Sequence, residues 1–179
     1  MSPRLATPLL RACSLSTALA LVACSPDNSR SALVPTSPAL SRASVALPFR
    51  GTVETSTKSM QPLGPTTALA HSEGGGNASH LGRFEAGSDL TLDLAKLTGT
   101  AEWALTAANG DVLTATTIGH ATPNADGMTL TVVELATITG GTGRFAGATG
   151  SGFYHGEFDA RTGHVITVTY DFMISAPKK

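Results

Sequence analysis

Leu97-Thr98-Gly99-Thr100-Ala101-Glu102-Trp103-Ala104-Leu105-Thr106-Ala107, then Asn109-Gly110, then Asp111-Val112-Leu113-Thr114-Ala115-Thr116-Thr117-Ile118-Gly119-His120-Ala121 decides the fold. In the first run Leu97, Gly99, Ala101, Trp103, Leu105 and Ala107 share one parity. That is the two-residue period of a strand, not the 3.6 period of a helix. Asn and Gly both tolerate positive φ, so the pair between two such runs predicts a β-hairpin closed by a type I′ turn.

The same period extends in both directions. From Pro48, Phe49, Gly51, Val53 and Thr55 alternate with Arg50, Thr52, Glu54 and Ser56. Further runs cover residues 66–72, 128–139, 151–159 and 164–174. Residues 78–85 and 90–94 form one long strand or two short ones, broken near Gly87. Gly74-Gly75-Gly76, Pro123-Asn124-Ala125-Asp126-Gly127 and Ala160-Arg161-Thr162-Gly163 are read as turns. About eight strands with short links predict an all-β, eight-stranded antiparallel β-barrel of calycin-like form over residues 48–179, because closure removes exposed strand edges. A β-sandwich is the second architecture. A membrane-spanning barrel carries aromatic girdles, and nine aromatic residues in the whole chain are too few to build them.

Ahead of this domain the pattern is different. Arg4 and Arg11 precede a short apolar run that ends in Leu21-Val22-Ala23-Cys24. The run is about half of the roughly 20 residues that a spanning helix needs, and the layout is that of a secretory signal over residues 1–23. The last four residues resemble a bacterial lipobox, which implies that Cys24 becomes the lipid-carrying first residue of the mature chain. Several acyl chains on that cysteine make a permanent tether, since one alone binds a membrane only marginally. Ser25 in the next position favours the outer membrane over the inner one in a Gram-negative envelope. Residues 24–47, rich in Ser, Pro, Ala and Arg, read as a flexible tether.

Bulk composition excludes several functions. Without Arg4 and Arg11 the chain has ten basic and thirteen acidic side chains, a formal charge of −3. No basic patch is present, so no nucleic-acid partner is expected. Cys13 leaves with the signal and Cys24 is acylated, so the mature domain has no thiol, disulfide or cysteine metal ligand. The five histidines show no metal-ligand spacing. No metal and no cofactor are expected.

The segment Ile138-Thr139-Gly140-Gly141-Thr142-Gly143-Arg144-Phe145-Ala146-Gly147-Ala148-Thr149-Gly150 is glycine-rich, yet no Gly-Lys-Ser/Thr opens a helix, so it is no P-loop. It resembles the signature of the allene oxide cyclase/dirigent barrel superfamily, in particular its bacterial allene-oxide-cyclase-barrel-like branch. His80-Leu81-Gly82-Arg83-Phe84 is similar to a second segment of that branch. The resemblance covers roughly residues 49–175 and implies an eight-stranded antiparallel barrel with a central cavity. Plant cyclases of the superfamily steer closure of a fatty-acid epoxide there, and dirigent proteins steer coupling of phenoxy radicals. Plant relatives assemble as trimers or dimers, which leaves an oligomer open. The family's catalytic residues find no matching segment in this chain. Gly140, Gly141, Gly143, Gly147 and Gly150 have a structural reading: they bend the chain between two strands and let Phe145 plug one end of the core.

Four residues stand out as candidates for ligand contact. Glu134 shares a strand face with Met128, Leu130, Val132, Ala136 and Ile138, and is the one candidate for catalysis. A carboxylate inside the barrel is hydrogen-bonded, or its pKa rises until it is neutral. Tyr170 lies in the apolar parity of the last strand and Trp103 in that of the central hairpin; both read first as core. His80 is expected to point inward with Gly82 and Phe84. The leading expectation is a membrane-anchored envelope lipoprotein whose barrel binds a small hydrophobic ligand or another envelope component without catalysis. A cyclase-like or dirigent-like enzyme and a purely structural envelope protein are the alternatives.

Overall fold

The structure is a computed structural model and describes residues 45–178. The expected signal, Cys24 and all but the end of the expected tether lie outside the described residues. Eight strands follow in order: β1 (Ala46–Pro62), β2 (Thr67–Ala78), β3 (Gly82–Asp93), β4 (Thr98–Ala107), β5 (Val112–Pro123), β6 (Thr129–Gly141), β7 (Gly150–Asp159) and β8 (His164–Ser175). Each pairs antiparallel with its neighbour, and β8 closes on β1 through pairs such as Phe49 with Phe172 and Val53 with Val168. The fold is the closed eight-stranded antiparallel barrel read from the alternation. β1 begins at Ala46, so the last two residues assigned to the tether belong to the barrel.

The Asn109-Gly110 hairpin forms where the sequence puts it, with a different turn. Gly110 alone has positive φ, +85°. Its N–H donates to the Ala107 carbonyl at 2.9 Å, and the Ala107 N–H donates to the Asp111 carbonyl at 2.8 Å. This is a three-residue link, a type I turn completed by a left-handed glycine. The Asn109 side chain then bonds Asp111 through both its carbonyl and its amide, which favours this form over type I′.

Two expected breaks are absent. Gly74, Gly75 and Gly76 are not a turn; they pair inside β2 with Thr55, Glu54 and Val53 of β1 and with Ala86, Glu85 and Phe84 of β3. A Cβ on Gly74 or Gly76 would strike the backbone carbonyls of Glu54 or Thr52, so glycine here admits a close approach of two strands. β3 runs unbroken through Gly87, which pairs with Glu73 and Ala104. The actual turn before β3 is residues 79–81, where the alternation had been read as strand.

The interior divides along the barrel axis. At one end lie the 79–81 turn, the β4–β5 link and the 142–149 segment between β6 and β7. Phe49, Leu113, Phe145 and Ile174 are fully buried there, with Phe84 and Phe172 nearly so. Phe49 stacks on Phe172 at 5.0 Å. Phe145 comes from the short helical turn Gly143–Phe145 and closes this end, as the glycine-rich motif suggested. Gly140, Gly141, Gly143 and Gly147 have positive φ, which lets the chain reverse over the barrel end. Arg144 holds the plug: its guanidinium lies over the Phe145 ring at 5.0 Å, and its Nε is 3.2 Å from Asp111 Oδ2 in an ion pair.

Candidate functional site

The other half of the barrel is hollow. Its inward positions carry small side chains: Ala70 and Ser72 on β2, Ser88 on β3, Gly99 on β4, Gly119 on β5 and Gly156 on β7. Small residues on facing strands leave the space that large ones fill at the plugged end. The result is a cavity of about 580 Å³, within the size range of small-molecule pockets. Leu90, Leu92, Leu130 and Val132 form apolar walls, and the links at Leu94, Leu97 and Ala160–Gly163 frame the mouth.

Its inner end is polar. Glu134 points inward from β6 at 9 % exposure. It pairs across the sheet with Gly119 on β5 and Tyr154 on β7, and Tyr154 pairs with Tyr170 on β8. Directly opposed residues bring their side chains together, so register alone builds a Glu134–Tyr154–Tyr170 row. The two tyrosine rings are 5.7 Å apart, and the Trp103 ring is 5.9 Å from Tyr154. Gly119 makes room for the carboxylate: a Cβ there would meet the Glu134 Cγ at 2.7 Å.

The electrostatics follow from burial. Loss of water pushes the Glu134 pKa above the ordinary carboxylate value. Thr117 is near enough to oppose this weakly, but it closes no hydrogen bond with the carboxyl. Burial, reinforced by the Glu134 charge, raises both Tyr154 and Tyr170 above the usual phenol value, so both remain protonated. Glu134 Oε2, Tyr170 Oη, Trp103 Nε1, Thr55 Oγ1 and Thr117 Oγ1 are all buried without a hydrogen-bond partner. Each such group costs about 1–3 kcal/mol. Thr55, Trp103 and Glu134 among them line the cavity, which suits that end to a polar group.

Three of the four residues singled out for ligand contact come together. Glu134 and Trp103 line the cavity, and Tyr170 stands against Tyr154 at its inner end. His80 does not join them. It is exposed in the 79–81 turn at the plugged end, with φ +65°, while Leu81 takes the inward place. Sequence reasoning missed Tyr154, whose parity it assigned to no face. The signal was present: Tyr154 alternates with Gly152 and Gly156, and glycines on one parity mark the crowded concave side of a coiled strand. Thr55, Ser72 and Ser88 were missed because small polar residues look the same on either face. Among the described residues no group of three or more His, Cys, Asp and Glu could hold a metal ion.

Compared with protein-family models, curated proteins and solved structures, the chain matches none.

Proposed function

We propose that this protein is a lipid-anchored envelope binding module whose barrel holds a small hydrophobic ligand. The observation that carries the reading is the 580 Å³ cavity with apolar walls and unpaired polar groups at its inner end. A purely structural barrel gains nothing from a hollow half, since filling it with side chains would add stability. The signal-like segment and Cys24 supply the anchor, and the resemblance of residues 138–150 to the allene oxide cyclase/dirigent superfamily is in keeping with a ligand-holding barrel.

Native mass spectrometry of the protein isolated from its host tests the reading. A discrete added mass that is diminished in Ser88→Leu, which narrows the cavity, is the expected result. Identical bare masses for both proteins would overturn it. The anchor has its own test: palmitate labelling is expected in the native chain and lost in Cys24→Ala.

A second reading rests on the raised pKa of Glu134 beside two protonated tyrosines. A buried carboxyl with a raised pKa suits general acid–base work, as in ring closure or coupling of a reactive apolar intermediate. If the bound molecule is converted, Glu134→Gln is expected to stop conversion while the barrel still folds.

A further inference from the structure

We infer that the cavity takes an amphiphile with its oxygen end first: an apolar body whose buried terminus is a hydroxyl or a carbonyl, with carboxylates refused. The inference rests on the binding-module reading and names the chemistry of its ligand.

The hydrogen-bonding inventory at the inner end sets the requirement. Among the lining residues, Trp103 Nε1 can only donate, Thr55 Oγ1 donates or accepts, and Glu134 Oε2 accepts or, when protonated, donates. A pure hydrocarbon would leave all of them unpaired in a drier site. A hydroxyl or carbonyl oxygen provides an acceptor for the indole N–H, and a hydroxyl also provides a donor for Glu134.

Charge excludes the carboxylate. Asp93, Glu134 and Glu157 line the cavity, and Arg161 is the one Lys or Arg among the lining residues. Arg161 sits at the mouth with its guanidinium closed on Asp159, through Nε at 3.2 Å and Nη2 at 3.0 Å. A carboxylate driven to the inner end would meet Glu134 and no cation, and an unpaired buried charge is far costlier than a buried hydroxyl. Leu90, Leu92, Leu130 and Val132 then receive the apolar body.

Trp103 is the only tryptophan in the chain, so its emission reports the cavity directly in the full-length protein. The probes are 1-dodecanol, 2-dodecanone, dodecanoate and dodecane at neutral pH, with displacement of the neutral dye N-phenylnaphthylamine as a second readout. The alcohol and ketone are expected to bind at least about tenfold tighter than dodecanoate and dodecane. Glu134→Gln keeps a donor and an acceptor, so it is expected to hold the alcohol within about threefold while narrowing the gap to dodecanoate. Trp103→Phe, followed by the dye, is expected to weaken the alcohol and leave dodecane unchanged, and it serves should the Glu134 variant fail to fold. Dodecanoate or dodecane binding as tightly as dodecanol would overturn the ligand class and leave the binding module standing. Failure of every probe to change Trp103 emission or displace the dye would overturn the binding module itself.

Discussion

The two halves of this barrel are built from the same strands and do opposite things. At the plugged end the inward residues are Phe49, Phe84, Leu113, Phe145, Phe172 and Ile174, all buried and in one core cluster. Toward the mouth β2, β3, β5 and β7 turn inward Ala70, Ser72, Ser88, Gly119 and Gly156. Side-chain volume, not topology, separates a packed core from a pocket. The aromatic row of Tyr154 and Tyr170, with Glu134 beside it, is the boundary where packing ends and unpaired polar groups begin. A barrel whose stability is concentrated in one half can leave the other half hollow without unfolding.

The sharpest way to break this contrast is to remove the plug. Phe145 is fully buried and belongs to the core cluster. Phe145→Ala is expected to cost about 3–5 kcal/mol, the range for a large aromatic truncated in a core. Urea unfolding followed by far-UV circular dichroism reads it. A cost below about 1 kcal/mol would show that the plugged half does not carry the stability.

The matching change in the hollow half has the opposite sign. Ser88 is 5 % exposed and lines the cavity. Ser88→Leu places an apolar side chain into unfilled space, so stability is expected to hold or rise by up to about 1 kcal/mol, where the same insertion into a filled core would cost 1–3 kcal/mol. Dodecanol binding, read by Trp103 emission, is expected to fall at least about tenfold in the same variant because the added atoms occupy ligand volume. A clear loss of stability would mean that this half is already packed.

The plugged half was largely legible in the sequence and the hollow half was not. Alternation in Leu97–Ala107 and the glycine-rich stretch around Phe145 point to strands and a plug because large apolar side chains report which face is inside. The run Gly74-Gly75-Gly76 misled, since a glycine needed for close strand approach looks like one needed for a turn. The break expected near Gly87 failed for a similar reason: the strand passes through without needing a side chain there. Glu134 stood out as a charge among apolar neighbours. Its pairing with Tyr154, whose parity the flanking glycines hint at, comes from cross-strand register between positions twenty residues apart in sequence. The cavity itself depends on small residues from several strands meeting in space, and no single segment records that.

The smallest effect tests the boundary between the halves through two carboxylates, Glu134 at the inner end of the cavity and Asp159 at its mouth. Burial raises the Glu134 pKa above its ordinary 4.5. The folded protein therefore holds this proton more tightly than the unfolded chain does. Its contribution to stability is full below pH 4.5 and declines as pH rises through the folded pKa, then levels off. Asp159 behaves in reverse. The Arg161 guanidinium and backbone N–H draw its pKa from 3.8 down to about 2, so its contribution is present above pH 3.8 and fades as pH falls toward 2. Urea midpoints across this range should separate the two. Glu134→Gln is expected to flatten the decline on the side above pH 4.5 and leave the acid limb intact, while Asp159→Asn should do the converse. If Glu134→Gln left the decline above pH 4.5 unchanged, the carboxyl would be solvated in the folded protein. The inner end of the cavity would then be wet, and the line between packed and hollow halves would lie nearer the plug.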